Sequence, residues 1–125
     1  MKFDWNKFVS LCHSLAQENG DREALLRTAI SRGYYGVFNL ARTALQSQGH
    51  TFSSGADVHQ EVIQVLNASQ DNARRKLGHD LRSLRTYLNK ADYDDTIANV
   101  AAAHNSVAVI LEELKPILIE LCGRK

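Results

Sequence analysis

The stretch with helical spacing over residues 21–47 constrains the fold more than any other part of this chain. Its apolar side chains recur every three or four residues and cover roughly 200° of the helix circumference, which is wider than a surface helix needs. The pattern therefore predicts a central helix. Gly33 and Gly36 lie in its middle, although a glycine inside a helix costs roughly 1 kcal/mol relative to alanine.

The two glycines share one side of the predicted helix with Ala29 and Leu40, and together they form a shallow groove of small residues. Such a groove allows another backbone to approach closely. One interpretation is tight packing inside a monomeric helical bundle. The other is that the groove also serves as a contact between two copies of the chain. The sequence favours the first interpretation and leaves the second open.

The remainder of the chain is also predicted to be helical. Proline occurs once, at Pro116, where a kink or the end of a helix is expected. No segment alternates apolar and polar residues long enough for a strand. The predicted helices span about 4–19, 21–47, 58–66 and 71–89, followed by a fifth capped by Asp94 or Asp95. Short connections between long helices favour an all-α, antiparallel four- or five-helix bundle.

Length and composition predict one domain over residues 1–125. The 15 lysines and arginines nearly balance the 14 acidic residues, so global charge does not indicate nucleic-acid or membrane binding. Cys12 and Cys122 lack CxxC spacing and are expected to be reduced and buried. No signal-peptide core and no run of 18 apolar residues is present, so we expect a cytoplasmic protein. No metal-ligand spacing or cofactor motif is found, and neither group is expected.

The predicted fourth helix carries a local positive charge. Residues 71–92 contain six lysines and arginines against three aspartates, whereas residues 93–123 contain one lysine against five acidic residues. Such segregation can create a phosphate-binding surface, although a solvated helix face is the alternative interpretation. The cationic side chains that project away from the leucine stripe of this helix are Arg74, Arg75, His79, Arg82 and Arg85.

Three segments together resemble a known family. The stretch AISRGYYGVFNLARTAL is similar to the signature helix of small prokaryotic HEPN-domain proteins (higher eukaryotes and prokaryotes nucleotide-binding). The segment SSGADVHQEVI, with His59, and the later Ala91-Asp92-Tyr93 motif match further family segments in the same order. The resemblance implies an antiparallel four- or five-helix bundle, usually homodimeric, with a cleft between protomers near the end of the helix that carries Tyr93. At the family position of His59, we expect the imidazole to fix the preceding loop.

The resemblance also implies a chemistry. Active HEPN proteins are commonly metal-independent ribonucleases in which an arginine is followed after a short spacer by a histidine. The imidazole can assist attack by the RNA 2′-hydroxyl, and the guanidinium can stabilise the developing charge. Here Leu88 stands at the position of that arginine and Tyr93 at the position of the histidine. Because a phenol is a poor base at neutral pH, the ribonuclease centre is expected to be degenerate.

These arguments favour a homodimeric module of a prokaryotic toxin–antitoxin or defence-type system that binds RNA, a nucleotide or a partner protein such as a cognate antitoxin. One alternative is an active metal-independent endoribonuclease that uses Arg85 and Tyr93; Arg74 and His79 also have the four-residue spacer, but lie several turns earlier. A second alternative is a purely structural companion of a nucleotidyltransferase. The predicted binding residues are Arg32, Tyr35, Arg82, Arg85, Asn89, Asp92 and Tyr93.

Overall fold

The computed structural model describes residues 2–123, in which five α-helices and no strand occur. The helices are α1 (Asn6–Ser14), α2 (Arg22–Ser47), α3 (Val58–Asn67), α4 (Asn72–Tyr93) and α5 (Val100–Gly123), with one 3₁₀ turn (Leu15–Gln17) after α1. The all-α prediction is confirmed. None of these helices has both the length and the apolar character that crossing a bilayer requires.

Helices α2 and α4 begin at side-chain caps, close to their predicted starts at about residues 21 and 71. The Asp21 carboxylate accepts a hydrogen bond from the backbone N–H of Ala24 at 3.0 Å, at the start of α2. The Asp71 carboxylate accepts one from the N–H of Ala73 at 3.0 Å, at the start of α4. Each carboxylate satisfies one of the backbone donors that a helix N-terminus leaves unpaired. These two boundaries are therefore encoded locally.

The start of α5 differs from the prediction. Asn99, rather than Asp94 or Asp95, caps this helix, because its side-chain oxygen accepts a hydrogen bond from the N–H of Ala102 at 3.0 Å. Helix α4 continues through Tyr93, beyond the predicted end at about residue 89, and the extended backbone of Asp94 ends it. The residues that were expected to open α5 belong instead to the connection between the two helices.

Pro116 lies inside α5 and does not end it. Proline removes one backbone donor and disfavours a helix interior. Leu118 and Leu121, which follow it in the same helix, are buried. Burial of these side chains offsets the lost hydrogen bond, since covering a leucine contributes about 1.5–3 kcal/mol.

Helix α2 is central, as predicted: it packs against α1, α4 and α5. The groove at its glycines is filled from within the chain. A Cβ atom on Gly36 would lie 2.7 Å from Val9 Cγ2 and 2.8 Å from the backbone nitrogen of Val9, in α1. A Cβ atom on Gly33 would lie 3.1 Å from Cys12 Sγ. The interpretation as intramolecular packing is confirmed, and α1 occupies the surface that a second copy would have used.

A buried polar contact joins α1 to α5. His104 Nε2 donates a hydrogen bond to the carbonyl oxygen of Cys12 at 2.8 Å, because a carbonyl can only accept. Burial raises the pKa of the Cys12 thiol to about 11, so the thiol stays protonated. Both cysteines are free. The expectation that both are buried is wrong for Cys122, which is exposed near the end of α5.

Candidate functional site

The C-terminal half of α4 forms a small cleft with the middle of α2 and the start of α3. Its volume is about 190 Å³, and we call it the α3-side compartment. Residues of α4 that are separated by three or four positions share one helix face, which places several polar side chains together. The buried side chain of Leu88 contributes the apolar part of the lining. The polar and aromatic residues that line the cleft are Tyr35, His59, Arg85, Asn89, Asp92 and Tyr93.

A second cavity adjoins the first, and Asp92 lines both. This α2-side compartment lies between the first half of α2 and the end of α4, and has a volume of about 340 Å³. Together the two cavities fall within the range of roughly 300–1,000 Å³ that is typical of ligand sites. The polar residues of the α2-side compartment are Arg27, Thr28, Ser31, Arg32 and Asp92.

Arg85 provides a positive charge in the α3-side compartment. It makes no salt bridge and no hydrogen bond with any other residue in the range 2–123. His59 lies beside it, and the pKa of this imidazole is lowered from 6.5, first by burial and then by the charge of Arg85. At pH 7 His59 is therefore neutral while Arg85 carries a full charge.

The hydrogen bond between Tyr34 and His59 determines which imidazole nitrogen carries the proton. The Tyr34 hydroxyl is fully buried, and its distance to His59 Nδ1 is 2.6 Å. Burial raises the pKa of this phenol well above its usual value, so the proton stays on the oxygen. Within residues 2–123 the hydroxyl has no other partner. It therefore donates to Nδ1, because a buried donor without an acceptor costs about 1–3 kcal/mol. The proton of neutral His59 is consequently on Nε2.

Aromatic packing holds the ring of His59, at the start of α3, against α2. The ring stacks on Phe38, with centroids 4.2 Å apart and an interplanar angle of 22°. Tyr35 meets it edge to face at 6.1 Å. Tyr93 at the rim is 79 % exposed. The compartment therefore combines a rigidly held imidazole with an accessible aromatic ring.

Arg32 lines the α2-side compartment together with Asp92. Its guanidinium lies over the Phe8 ring, 4.9 Å from the centroid. Burial raises the pKa of the Asp92 carboxyl, and the charge of Arg32 acts in the opposite direction. No salt bridge between the two residues is formed in the described part of the chain. Both side chains therefore keep hydrogen-bonding capacity that a ligand can use.

The structure places most predicted binding residues around the two compartments. Arg82 is the exception, because it is exposed on α4 and lines neither compartment. The two compartments share the carboxyl end of α4. The predicted residues that line one or both of them are Arg32, Tyr35, Arg85, Asn89, Asp92 and Tyr93.

The pair Arg74 and His79 does not form a site. Five residues apart on a helix, their side chains leave α4 at directions that differ by about 140°. Arg74 donates a hydrogen bond to the Gln48 side-chain oxygen at 2.9 Å, at the opposite end of α4 from the cleft. His79 is exposed and does not line a cavity with Arg74. The four-residue spacer therefore does not bring the side chains of Arg74 and His79 together.

Among the compartment residues absent from the predicted binding set, His59 and Ser31 bear most on the site. His59 was expected to fix its loop, whereas its ring is bonded to Tyr34 and faces Arg85. Ser31 is only 7 % exposed and lines the α2-side compartment. The resemblance noted around His59 in the sequence was the signal that could have indicated the first. No sequence pattern indicates the second.

Within residues 2–123, no group of three or more His, Cys, Asp and Glu side chains is arranged to hold a metal ion. Comparisons with protein-family models, with curated proteins and with solved structures gave no match for this chain.

Proposed function

We propose that this protein is a homodimeric, HEPN-like RNA-binding module whose α3-side compartment holds an RNA phosphate without cleaving the chain. One observation carries the proposal: the Arg85 guanidinium has no partner within residues 2–123, and shares a cleft with the neutral imidazole of His59. A guanidinium presents a planar fork of donors that matches a phosphate group.

The other side chains of the compartment support RNA as the ligand. With its proton on Nε2, His59 can donate a hydrogen bond to a phosphate oxygen, and the Asn89 amide provides two further donors. The exposed ring of Tyr93 offers a face on which an unpaired base can stack. These groups favour single-stranded RNA, whose bases are free to stack on aromatic side chains.

The proton position on His59 argues against cleavage. A general base accepts a proton through a free nitrogen lone pair. In His59, Nδ1 already accepts from the Tyr34 hydroxyl and Nε2 carries the proton. Tyr93, at the position where ribonuclease members of the family have their histidine, is a phenol. Binding without catalysis is therefore the function that the geometry favours.

The sequence motifs support the family and the homodimer. The YY motif lies in the central helix α2, and the ADY motif ends α4. Residues of both motifs line one cleft, near the end of the helix where the resemblance implies a cleft between protomers. In this proposal the protein acts in a prokaryotic toxin–antitoxin or defence-type system. Sedimentation velocity of the purified protein tests the dimer directly.

The RNA-binding proposal is tested by incubating the purified protein with total RNA and with tRNA in EDTA, and following both band shift and cleavage. The wild type is expected to shift intact RNA. Arg85→Ala is expected to weaken binding about tenfold or more, because charge-assisted hydrogen bonds contribute about 1.5–3 kcal/mol. Arg82→Ala is the matched control, since it removes the same charge from the same helix outside both compartments.

Three results would count against the proposal. Equal losses in Arg85→Ala and Arg82→Ala would indicate diffuse attraction to a basic helix rather than a site. Cleavage that Arg85→Ala abolishes would support the rearranged ribonuclease. Absence of any shift at low salt would direct the search to a protein partner, as the structural-companion alternative predicts.

A further inference from the structure

Ser31 is a buried residue whose hydroxyl has no hydrogen-bond partner within residues 2–123. It is 7 % exposed and lines the α2-side compartment. It makes no hydrogen bond to any residue in the described part of the chain. A serine inside a helix commonly satisfies its hydroxyl by bonding the carbonyl four residues earlier, as Thr28 does with Ala24 at 2.8 Å. The Ser31 hydroxyl is therefore available to a group that enters the compartment.

The neighbours of Ser31 define what that group offers. Asp92 presents carboxylate oxygens, which accept hydrogen bonds, and Arg32 presents a guanidinium, which donates them. Arg27 lines the same cavity, but its donors are engaged with Glu23 and with backbone carbonyls. The compartment thus offers an acceptor, a donor and a hydroxyl that can act as either. A sugar hydroxyl, which both donates and accepts, matches this set.

We propose that the α2-side compartment, through Ser31, Arg32 and Asp92, is a ribose-binding subsite that makes the protein select RNA over DNA. The inference rests on the proposed RNA binding and adds the basis of selectivity. Because Asp92 lines both compartments, a nucleotide whose phosphate contacts Arg85 places its sugar next to the α2-side cavity. The 2′-hydroxyl donates to Asp92 and accepts from Ser31 or Arg32.

The selectivity follows from the cost of unpaired polar groups. Deoxyribose lacks the 2′-hydroxyl, so DNA would cover Ser31 and Asp92 without replacing their hydrogen bonds to water. A site built to bond a hydroxyl discriminates against the ligand that lacks it, because its own polar groups are left unsatisfied. The 2′-hydroxyl is also the group by which proteins distinguish RNA from DNA.

The test measures the affinity of fluorescently labelled single-stranded RNA and DNA oligonucleotides of identical sequence by anisotropy. We expect the wild type to bind RNA about tenfold more tightly than DNA. Ser31→Ala is expected to reduce that ratio about three- to tenfold, through weaker RNA binding at unchanged DNA binding. Asp92→Ala removes a negative charge and is expected to strengthen binding of both, while it also reduces the ratio.

Ser47→Ala is the matched control. It makes the same change in the same helix, but its hydroxyl donates to the Ala44 carbonyl at 2.7 Å, away from both compartments. Circular dichroism of each variant establishes that it is folded. A wild type that binds RNA and DNA equally, with both dependent on Arg85, would overturn the ribose subsite and leave RNA binding standing. Failure of the wild type to bind either oligonucleotide would remove both proposals.

Discussion

At the scale of single residues, the electrostatics of the site centre on His59. Burial disfavours its charged form, and the nearby guanidinium of Arg85 does so as well. The hydrogen bond from Tyr34 acts in the same direction, because a donor to Nδ1 favours the neutral ring. The imidazole therefore stays neutral to a lower pH than a free histidine.

The lowered pKa of His59 can be measured directly. In the folded protein we expect its titration midpoint below the reference value of 6.5. Arg85→Ala is expected to raise that midpoint, because it removes the nearby positive charge that disfavours the protonated ring. The measurement is an NMR titration of the His59 ring proton. Arg82→Ala is expected to leave the midpoint unchanged, and an equal response in both variants would contradict the placement of Arg85 beside the ring.

The same pKa shift sets a pH dependence of stability. The unfolded chain takes up a proton at His59 near pH 6.5, whereas the folded protein does so only at lower pH. Between these two values the unfolded state binds more protons, so the free energy of unfolding decreases as the pH falls. Above pH 6.5 both states are neutral at this residue and its contribution is constant.

At the scale of helices, the contact between α1 and α2 depends on the absence of a side chain at Gly36. The backbone nitrogen of Val9 would lie 2.8 Å from a Cβ atom at that position. A backbone atom of a helix cannot move aside as a flexible side chain can. Gly36 thus permits an approach that alanine, the better helix former, would block.

Gly36→Ala is therefore expected to destabilise the protein. Alanine gains about 1 kcal/mol in helix propensity, but overpacking of this kind costs about 1–3 kcal/mol. We expect a net loss of about 1 kcal/mol in the free energy of unfolding, measured by urea denaturation. Gly55→Ala is the control, because nothing lies within 4 Å of its Cβ position. A more stable Gly36→Ala variant would mean that α1 does not pack as described.

At the scale of the whole molecule, Arg27 joins parts of the chain that are far apart in sequence. From α2 its guanidinium donates to the carbonyl of Ala91 at 3.1 Å and to that of Asp94 at 2.6 Å. A weaker bond reaches the carbonyl of Asp95 at 3.4 Å. The last carbonyls of a helix have no partner within it, so Arg27 satisfies the end of α4 and fixes its connection to α5.

Arg27→Met tests this role. The variant retains much of the apolar stem of Arg27 but leaves the carbonyls at the end of α4 without their donor. We expect a loss of about 2 kcal/mol in the free energy of unfolding, measured by urea denaturation. Arg22→Met is the control, because Arg22 is exposed and donates to one carbonyl, that of Ala16; its expected effect is under about 0.5 kcal/mol. Equal effects of the two variants would argue against the role of Arg27.

The sequence by itself determined the helices and several of their boundaries. Apolar periodicity and the caps at Asp21 and Asp71 each act over a few neighbouring residues. A pattern of that range can therefore be recognised in the sequence. The sequence also indicated the face of α4 that carries Arg85 and Asn89, since three- and four-residue spacing fixes which side chains share a face.

Only the tertiary structure decided which backbone covers the glycines and which histidine joins Arg85. Val9 lies 27 residues before Gly36, and His59 lies 26 residues before Arg85, so no local pattern links either pair. The burial of Ser31 without a partner likewise depends on how α4 packs against α2, so the sequence alone does not indicate it. The physical reason is that helix formation is a short-range process, whereas the compartments arise from packing between helices.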